Sequence, residues 1–301
     1  MYTYTNEQLS RYLDHIGYRQ DARQEVLEDP LGCLTRVQHR HMARVPFESL
    51  SLHYSRNRLL SLDLEDLFKK IVDNGRGGYC MEVNAFFAAI LRTLGFTLYS
   101  AGGRVNGPNG YEGWSHMVNI VTINGERYLV DVGYGSNGMP HPVLLQHDHE
   151  FVGIAPTRGR LQYRNLPDEH ADPGQRVWMY SMKEDKASPW RDQYHFTETE
   201  FLPCDFEVMN LRVMTAPQSF FVQTVLCLWT LLDEEKKEPV GLLILARDYV
   251  KRRIGVESCI IEQLETEEQR VRALEKYFGI MLSAEERKGI RGLASELKAK
   301  S

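Results

Sequence analysis

Apolar residues recur at two different periods along this chain, and the change of period divides it. From the N-terminus to Gly95 the spacing is helical. Leu9, Tyr12, Leu13 and Ile16 share one face before Gly17, and Thr5 with Gln8 forms a capping box ahead of them. Asp29-Pro30 sets a cap before a proline at the first helical position, which predicts a helix to about Met42. Arg44 to Leu50 must leave helix, because Pro46 disfavours it. Leu64, Leu67, Phe68, Ile71 and Val72 fit another helix. The clearest face is Val83, Phe86, Phe87, Ile90, Leu91 and Leu94, closed by Gly95.

After Gly95 the period moves towards 2, and Phe96 to Ala101 reads as a strand. Gly102 to Gly113, rich in glycine and asparagine, reads as a loop. His116–Ile123 and Glu126–Asp131 flank Asn124-Gly125, the strongest short hairpin signal. Gly133 to Gly138 is a glycine-rich exit loop. Residues 142–200 read as short strands and turns, with Gly159, Pro167 and Pro173 as breakers. From about Asp205 the pattern turns helical again, with Phe220–Leu232 as its apolar stretch. Val240–Ala246 and Lys251–Ile261 read as strands, and Glu265–Phe278 and Ser283–Lys298 as charged helices. These readings predict an α+β chain: helices over 1–95, strands over 96–204, and a mixed third part over 205–301.

Composition narrows the function classes. Of 301 residues 43% are hydrophobic and 26% charged, which supports a large core. A net charge of −5 supplies no basic field for nucleic acid. The N-terminus lacks the pattern of a signal peptide, and the apolar stretch at Phe220–Leu232 is too short and too polar to span a bilayer. The five cysteines are scattered, with no CxxC pair, as expected of reduced thiols in a cytoplasmic protein. His141, His147 and His149 sit in a polar loop without a cysteine partner, and Cys33 with His39 and His41 forms a helical face, so no metal is expected. There is no Walker A, GxGxxG or GxSxG motif.

One cysteine stands apart. Cys80 follows Gly77-Gly78 and opens the clearest helix, where unpaired N–H groups and the helix dipole favour an anionic sulfur. A nucleophile needs a base, and the base needs an orienting group. If Asn124 and Gly125 are the turn, Ile123 faces Glu126 and Asp131 faces Val118. His116, two residues from Val118, then shares a face with Asp131 as its diagonal neighbour. A lone cysteine is usually inert. The conjunction of a glycine turn, a helix start and a same-face His-Asp pair makes Cys80, His116 and Asp131 a candidate triad, provided the helix start packs on that hairpin.

Arg76-Gly77-Gly78-Tyr79-Cys80-Met81-Glu82-Val83-Asn84 resembles the RGGxCxExN motif of arylamine N-acetyltransferases. Further resemblances are Arg44-Val45-Pro46-Phe47-Glu48-Ser49-Leu50, Ser115-His116-Met117, Tyr128 to Gly135, and Asp205 to Asn210. They occur in family order, with matching spacings of 36 positions from Cys80 to His116 and 15 on to Asp131. The resemblance implies an N-terminal helical bundle carrying the nucleophile, a central β-barrel carrying His116 and Asp131, and a C-terminal α/β lid, around a cysteine-protease-like triad. It implies ping-pong transfer from acetyl-CoA, or propionyl- or malonyl-CoA, to an arylamine, arylhydrazine or N-hydroxyarylamine, as in xenobiotic metabolism, without a metal. It also implies a structural ion pair between Glu48 and Arg76, and substrate or CoA contacts from Gly113, Tyr134, Ser219 and Phe220. A cysteine hydrolase, thioesterase or peptidase, is the alternative use of the same triad.

Overall fold

The computed structural model describes residues 2–107, 110–166, 171–172 and 174–298. Pro167 and Pro173 lie outside the described residues. The helical part comprises α1 (Asn6–His15), α2 (Ala22–Glu28), α3 (Pro30–Arg44), α4 (Ser51–Tyr54), α5 (Leu64–Phe68) and α6 (Cys80–Leu94). The two-residue strand β1 (Phe47–Glu48) interrupts it after Pro46. Thr5 and Gln8 do form a capping box, and Gly95 ends α6 in the left-handed region. Tyr12, Phe86, Phe87, Ile90 and Leu91 are fully buried where α1, α3 and α6 meet.

Eight antiparallel strands form the second part: β2 (Thr97–Gly107), β3 (Gly110–Ile123), β4 (Glu126–Val130), β5 (Val143–Leu144), β6 (His149–Val152), β7 (Arg158–Asn165), β8 (Arg176–Lys183) and β9 (Arg191–Phe196). Their order, β5-β4-β3-β2-β9-β8-β7-β6, makes a nearly closed barrel. The Asn124-Gly125 turn sets the register, pairing Ile123 with Glu126 and Asn119 with Val130. Gly102–Gly113 is not a loop: β2 runs on to Gly107 and β3 starts at Gly110, with bulges around Arg104. Among the glycines there, Gly102 serves close packing. A Cβ on Gly102 would lie 2.4 Å from the Phe201 ring.

The third part holds α7 (Pro203–Thr215), α8 (Phe220–Gln223), β10 (Leu226–Leu232), β11 (Pro239–Ala246), β12 (Tyr249–Ile254), β13 (Glu257–Gln263), α9 (Glu267–Phe278) and α10 (Glu286–Gly289). The expected helix over Phe220–Leu232 is one helical turn followed by a strand. β10 is paired on both sides, by β1 and β11, and such a central strand carries a continuous apolar run. Lys251–Ile261 is two strands, turned at Gly255 with φ +55°. The last expected helix shrinks to Glu286–Gly289. A Cβ on Gly289 would stand 2.5 Å from the Tyr54 carbonyl oxygen, and Gly292 takes a left-handed φ that ends helical winding. Among the described residues, no helix is long and apolar enough to cross a membrane.

Candidate active site

Cys80 is the first residue of α6 and is 3% exposed. Glu82 accepts a hydrogen bond from the Tyr79 backbone N–H at 3.2 Å, and Lys70 Nζ holds the same buried carboxylate at 2.6 Å. The turn before the helix is fixed from below. Gly77 packs so closely that a Cβ would lie 1.7 Å from the Pro46 carbonyl oxygen. Neither Gly77 nor Gly78 has a positive φ, so the requirement is close approach and not an unusual dihedral angle. Glu48, wholly buried, accepts from Arg76 Nε at 3.2 Å, Gly77 N at 3.4 Å and Leu50 N at 2.5 Å. Burial opposes its charge, but Arg76, Lys70 and the amide donors hold its pKa below the ordinary carboxylate value.

The other two candidates meet Cys80 across the hairpin. His116 Nε2 and Asp131 Oδ2 are 2.7 Å apart, and both residues are buried. The second oxygen, Oδ1, accepts from Asn84 Nδ2 at 2.9 Å and Gly133 N at 2.8 Å. Tyr194 donates its hydroxyl to Oδ2 at 3.0 Å. Burial works against the imidazolium, yet the Asp131 carboxylate and the Cys80 sulfur outweigh it and raise the His116 pKa to about 10. Burial likewise opposes the Asp131 charge, and His116, Asn84 and the Gly133 amide together keep its pKa below the ordinary value. With Nε2 given to Asp131, Nδ1 is the ring nitrogen left for Cys80.

Asn84 and Tyr194 are site residues that the sequence reading assigned no role. Asn84 lies one turn after Cys80 on the same face of α6. It donates to the Met117 carbonyl at 2.8 Å as well as to Asp131, accepts from Val132 N at 3.0 Å, and its backbone carbonyl accepts from Asn119 Nδ2 at 3.0 Å. One side chain thus stitches the helix start to both strands of the hairpin. The i, i+4 spacing from Cys80 was the available signal. Tyr194 comes from β9 and also packs on His116, with ring centroids 4.8 Å apart. Gly133 passes over the helix start where a Cβ would stand 2.7 Å from Cys80 Cα.

Cys80 and His116 open onto a cavity of about 650 Å³. Gly113, Tyr134, Ser219 and Phe220 all line it. Tyr134 packs its ring edge against His116 at 5.2 Å and donates its hydroxyl to the Gln193 carbonyl. Ser219 precedes α8, and Phe220 is half exposed at the wall. Glu48 and Arg76 do not line the cavity and sit behind the turn. Arg212, at the end of α7, is the one lysine or arginine on this wall among the described residues. The described residues contain no group of three or more His, Cys, Asp or Glu arranged to hold a metal ion. The arrangement can pass a proton between sulfur and imidazole beside a space large enough for an organic substrate.

Comparison with known proteins agrees in sequence and in shape. The chain is 38% identical over 299 residues to the N-malonyltransferase FDB2 of Fusarium pseudograminearum, an alignment covering 93% of this chain and 87% of that protein. It is 31% identical over 230 residues to human arylamine N-acetyltransferase 1, covering 73% and 76% of the two chains. The solved arylamine N-acetyltransferase from Mycobacterium abscessus superimposes with a TM-score of 0.79 at 26% identity, over 94% of this chain and 93% of that one. The Mycobacterium marinum arylamine N-acetyltransferase in complex with CoA gives 0.76 at 25% identity, over 94% and 97%. A family profile described as N-acetyltransferase matches residues 30–287. The helical bundle, barrel and C-terminal sheet seen here are those of this fold, and the chain is an acyltransferase that belongs to the arylamine N-acetyltransferase family.

Proposed function

We propose that this protein transfers an acyl group from acyl-CoA to an arylamine, arylhydrazine or N-hydroxyarylamine through an acyl-Cys80 thioester. The observation that carries the reading is that Cys80 and His116 share the wall of one cavity while Asp131, buried behind, holds His116 Nε2 at 2.7 Å. The Cys80 sulfur, its proton already resting on His116, attacks the thioester carbonyl. The bond to the CoA sulfur breaks, and CoA leaves as a thiol with the proton returned by His116. An amine then attacks the acyl-cysteine, its nitrogen proton passes through His116 to the Cys80 sulfur, and the amide is released. Asp131 holds the imidazole in the orientation and charge state that both half-reactions need.

Acetyl is the family reading for the donor. A malonyl donor is favoured by a second observation. Arg212 is on the cavity wall with no hydrogen bond or ion pair through its side chain among the described residues, and such a cation suits a terminal carboxylate. The relative from Fusarium pseudograminearum is named for malonyl transfer.

Intact-protein mass measurement after incubation with acetyl-, propionyl- or malonyl-CoA tests both points. The wild type gains one acyl mass that persists until an aniline or hydrazine is added, whereas Cys80→Ala gains none. Thioester hydrolysis without amine, leaving no adduct, would instead identify a hydrolase. If malonyl is the donor, Arg212→Gln lowers kcat/KM for malonyl-CoA relative to acetyl-CoA by about tenfold; an unchanged ratio removes Arg212 from donor selection.

A further inference from the structure

A second cavity, of about 400 Å³, lies where the barrel meets the C-terminal sheet. Four cations line it: Lys183 at the end of β8, Arg191 on β9, and Lys251 and Arg253 on β12. Glu184 and Asp185 are its two acids, so the wall carries an excess of two positive charges in a chain whose net charge is −5. Asp185 is already engaged, accepting from the N–H groups of Ala187 and Ser188 and from the Ser188 hydroxyl. Glu184 reaches Arg191 only at 3.7 Å, with both side chains about 70% exposed.

Lys251 and Arg253 stand two positions apart and therefore on one face of β12. Among the described residues, neither side chain forms a hydrogen bond or an ion pair. Arg253 is half-buried, a state that disfavours its charge, and Glu184 acts on it only at longer range. A guanidinium withdrawn from water without a partner is the feature an anion completes. Asn137 lines this cavity and the active-site cavity alike, with its amide held by Gln193 Oε1 at 3.0 Å.

We propose that this second cavity is a phosphate-binding subsite built on Lys251 and Arg253. Phosphate can come from two sources, the nucleotide end of the acyl-CoA donor reaching across Asn137, or a free phosphate compound. The first source rests on the acyl-CoA reading above, and the second does not.

Calorimetry on the full chain measures binding of 3′,5′-adenosine diphosphate and of inorganic phosphate, for wild type and for Lys251→Gln/Arg253→Gln. In parallel, kcat/KM is compared between acetyl-CoA and acetyl-pantetheine, which lacks the phosphates. The expected result is that the wild type binds the diphosphate and the double variant binds it about tenfold more weakly, with a similar fall in the ratio of kcat/KM for acetyl-CoA over acetyl-pantetheine. Weakened phosphate binding with an unmoved ratio assigns the site to a free phosphate compound. The proposal is overturned if the wild type binds neither probe, or if the double variant binds both as tightly as wild type. Should the wild type form no acyl adduct, the donor reading fails and the binding arm still decides the site. If the double variant does not fold, Lys251→Glu serves in its place, because that side chain is partly exposed on a surface strand.

Discussion

Two buried ion pairs flank the turn that carries Cys80, and they do different work. Glu48 with Arg76 lies behind the turn, and Asp131 with His116 lies in front of it. Both carboxylates are wholly buried, and each accepts several hydrogen bonds beyond its cationic partner. The difference is in the partner and its outlook. Arg76 cannot give up its proton at any ordinary pH, and neither it nor Glu48 reaches the cavity. His116 can release its proton, and it faces both the cavity and a sulfur. Buried charge alone therefore does not mark chemistry. The proposed chemistry rests on the pair whose cation is titratable and has one open side.

Altering each acid in turn separates the two pairs. Asp131→Asn keeps the shape and removes the charge, so His116 loses both its orientation and its preference for the imidazolium. A fall in kcat/KM of about a thousandfold or more is expected with folding retained by circular dichroism; a fall below tenfold would remove Asp131 from the mechanism. Glu48→Gln leaves the buried Arg76 with only the partly exposed Glu286, 3.5 Å away, as its counter-charge. Urea unfolding should show a loss of about 3 kcal/mol, while kcat per folded molecule changes little. An equal collapse of kcat would mean that the two pairs are not distinct in kind. Tyr194→Phe takes one of several donors from Asp131, and kcat/KM should fall about tenfold at most.

The gentlest test is pH. The folded-state pKa of His116 is raised from 6.5 to about 10, so its contribution to stability is complete below 6.5 and fades as pH climbs towards 10. Glu48 has a lowered pKa, so its contribution is complete above 4.5 and fades as pH drops through the folded value. Thermal melts across pH should therefore lose stability at the alkaline end in wild type and not in Asp131→Asn. The acid-side loss should be reduced in Glu48→Gln.

How much of this was legible in the sequence depended on how local the cause was. The α1 capping box, the Cys80 helix and the Asn124-Gly125 register all arise from residues within a turn or a hairpin, and each was readable. The His116–Asp131 contact followed from that register alone. Asn84 and Tyr194 act on Asp131 from 47 and 63 positions away, so their roles exist only once the parts are packed. The glycines of Gly102–Gly113 misled because packing against Phe201, not turning, explains one of them. β10 misled because its apolar run suits a buried helix and a central strand equally.

The two-residue strand β1 has a consequence for synthesis. Phe47 and Glu48 pair with Leu228 and Cys227, and Phe47 also bridges to Gly78 in the turn ahead of Cys80. A ribosome that has made the whole helical bundle and barrel has still not made the partner on which that turn leans. Until residue 228 emerges, Cys80, His116 and Asp131 all exist in the nascent chain while β1, beside the Cys80 turn, lacks its strand partner. The turn ahead of Cys80 thus gains its last backbone support only once the C-terminal sheet has begun to form.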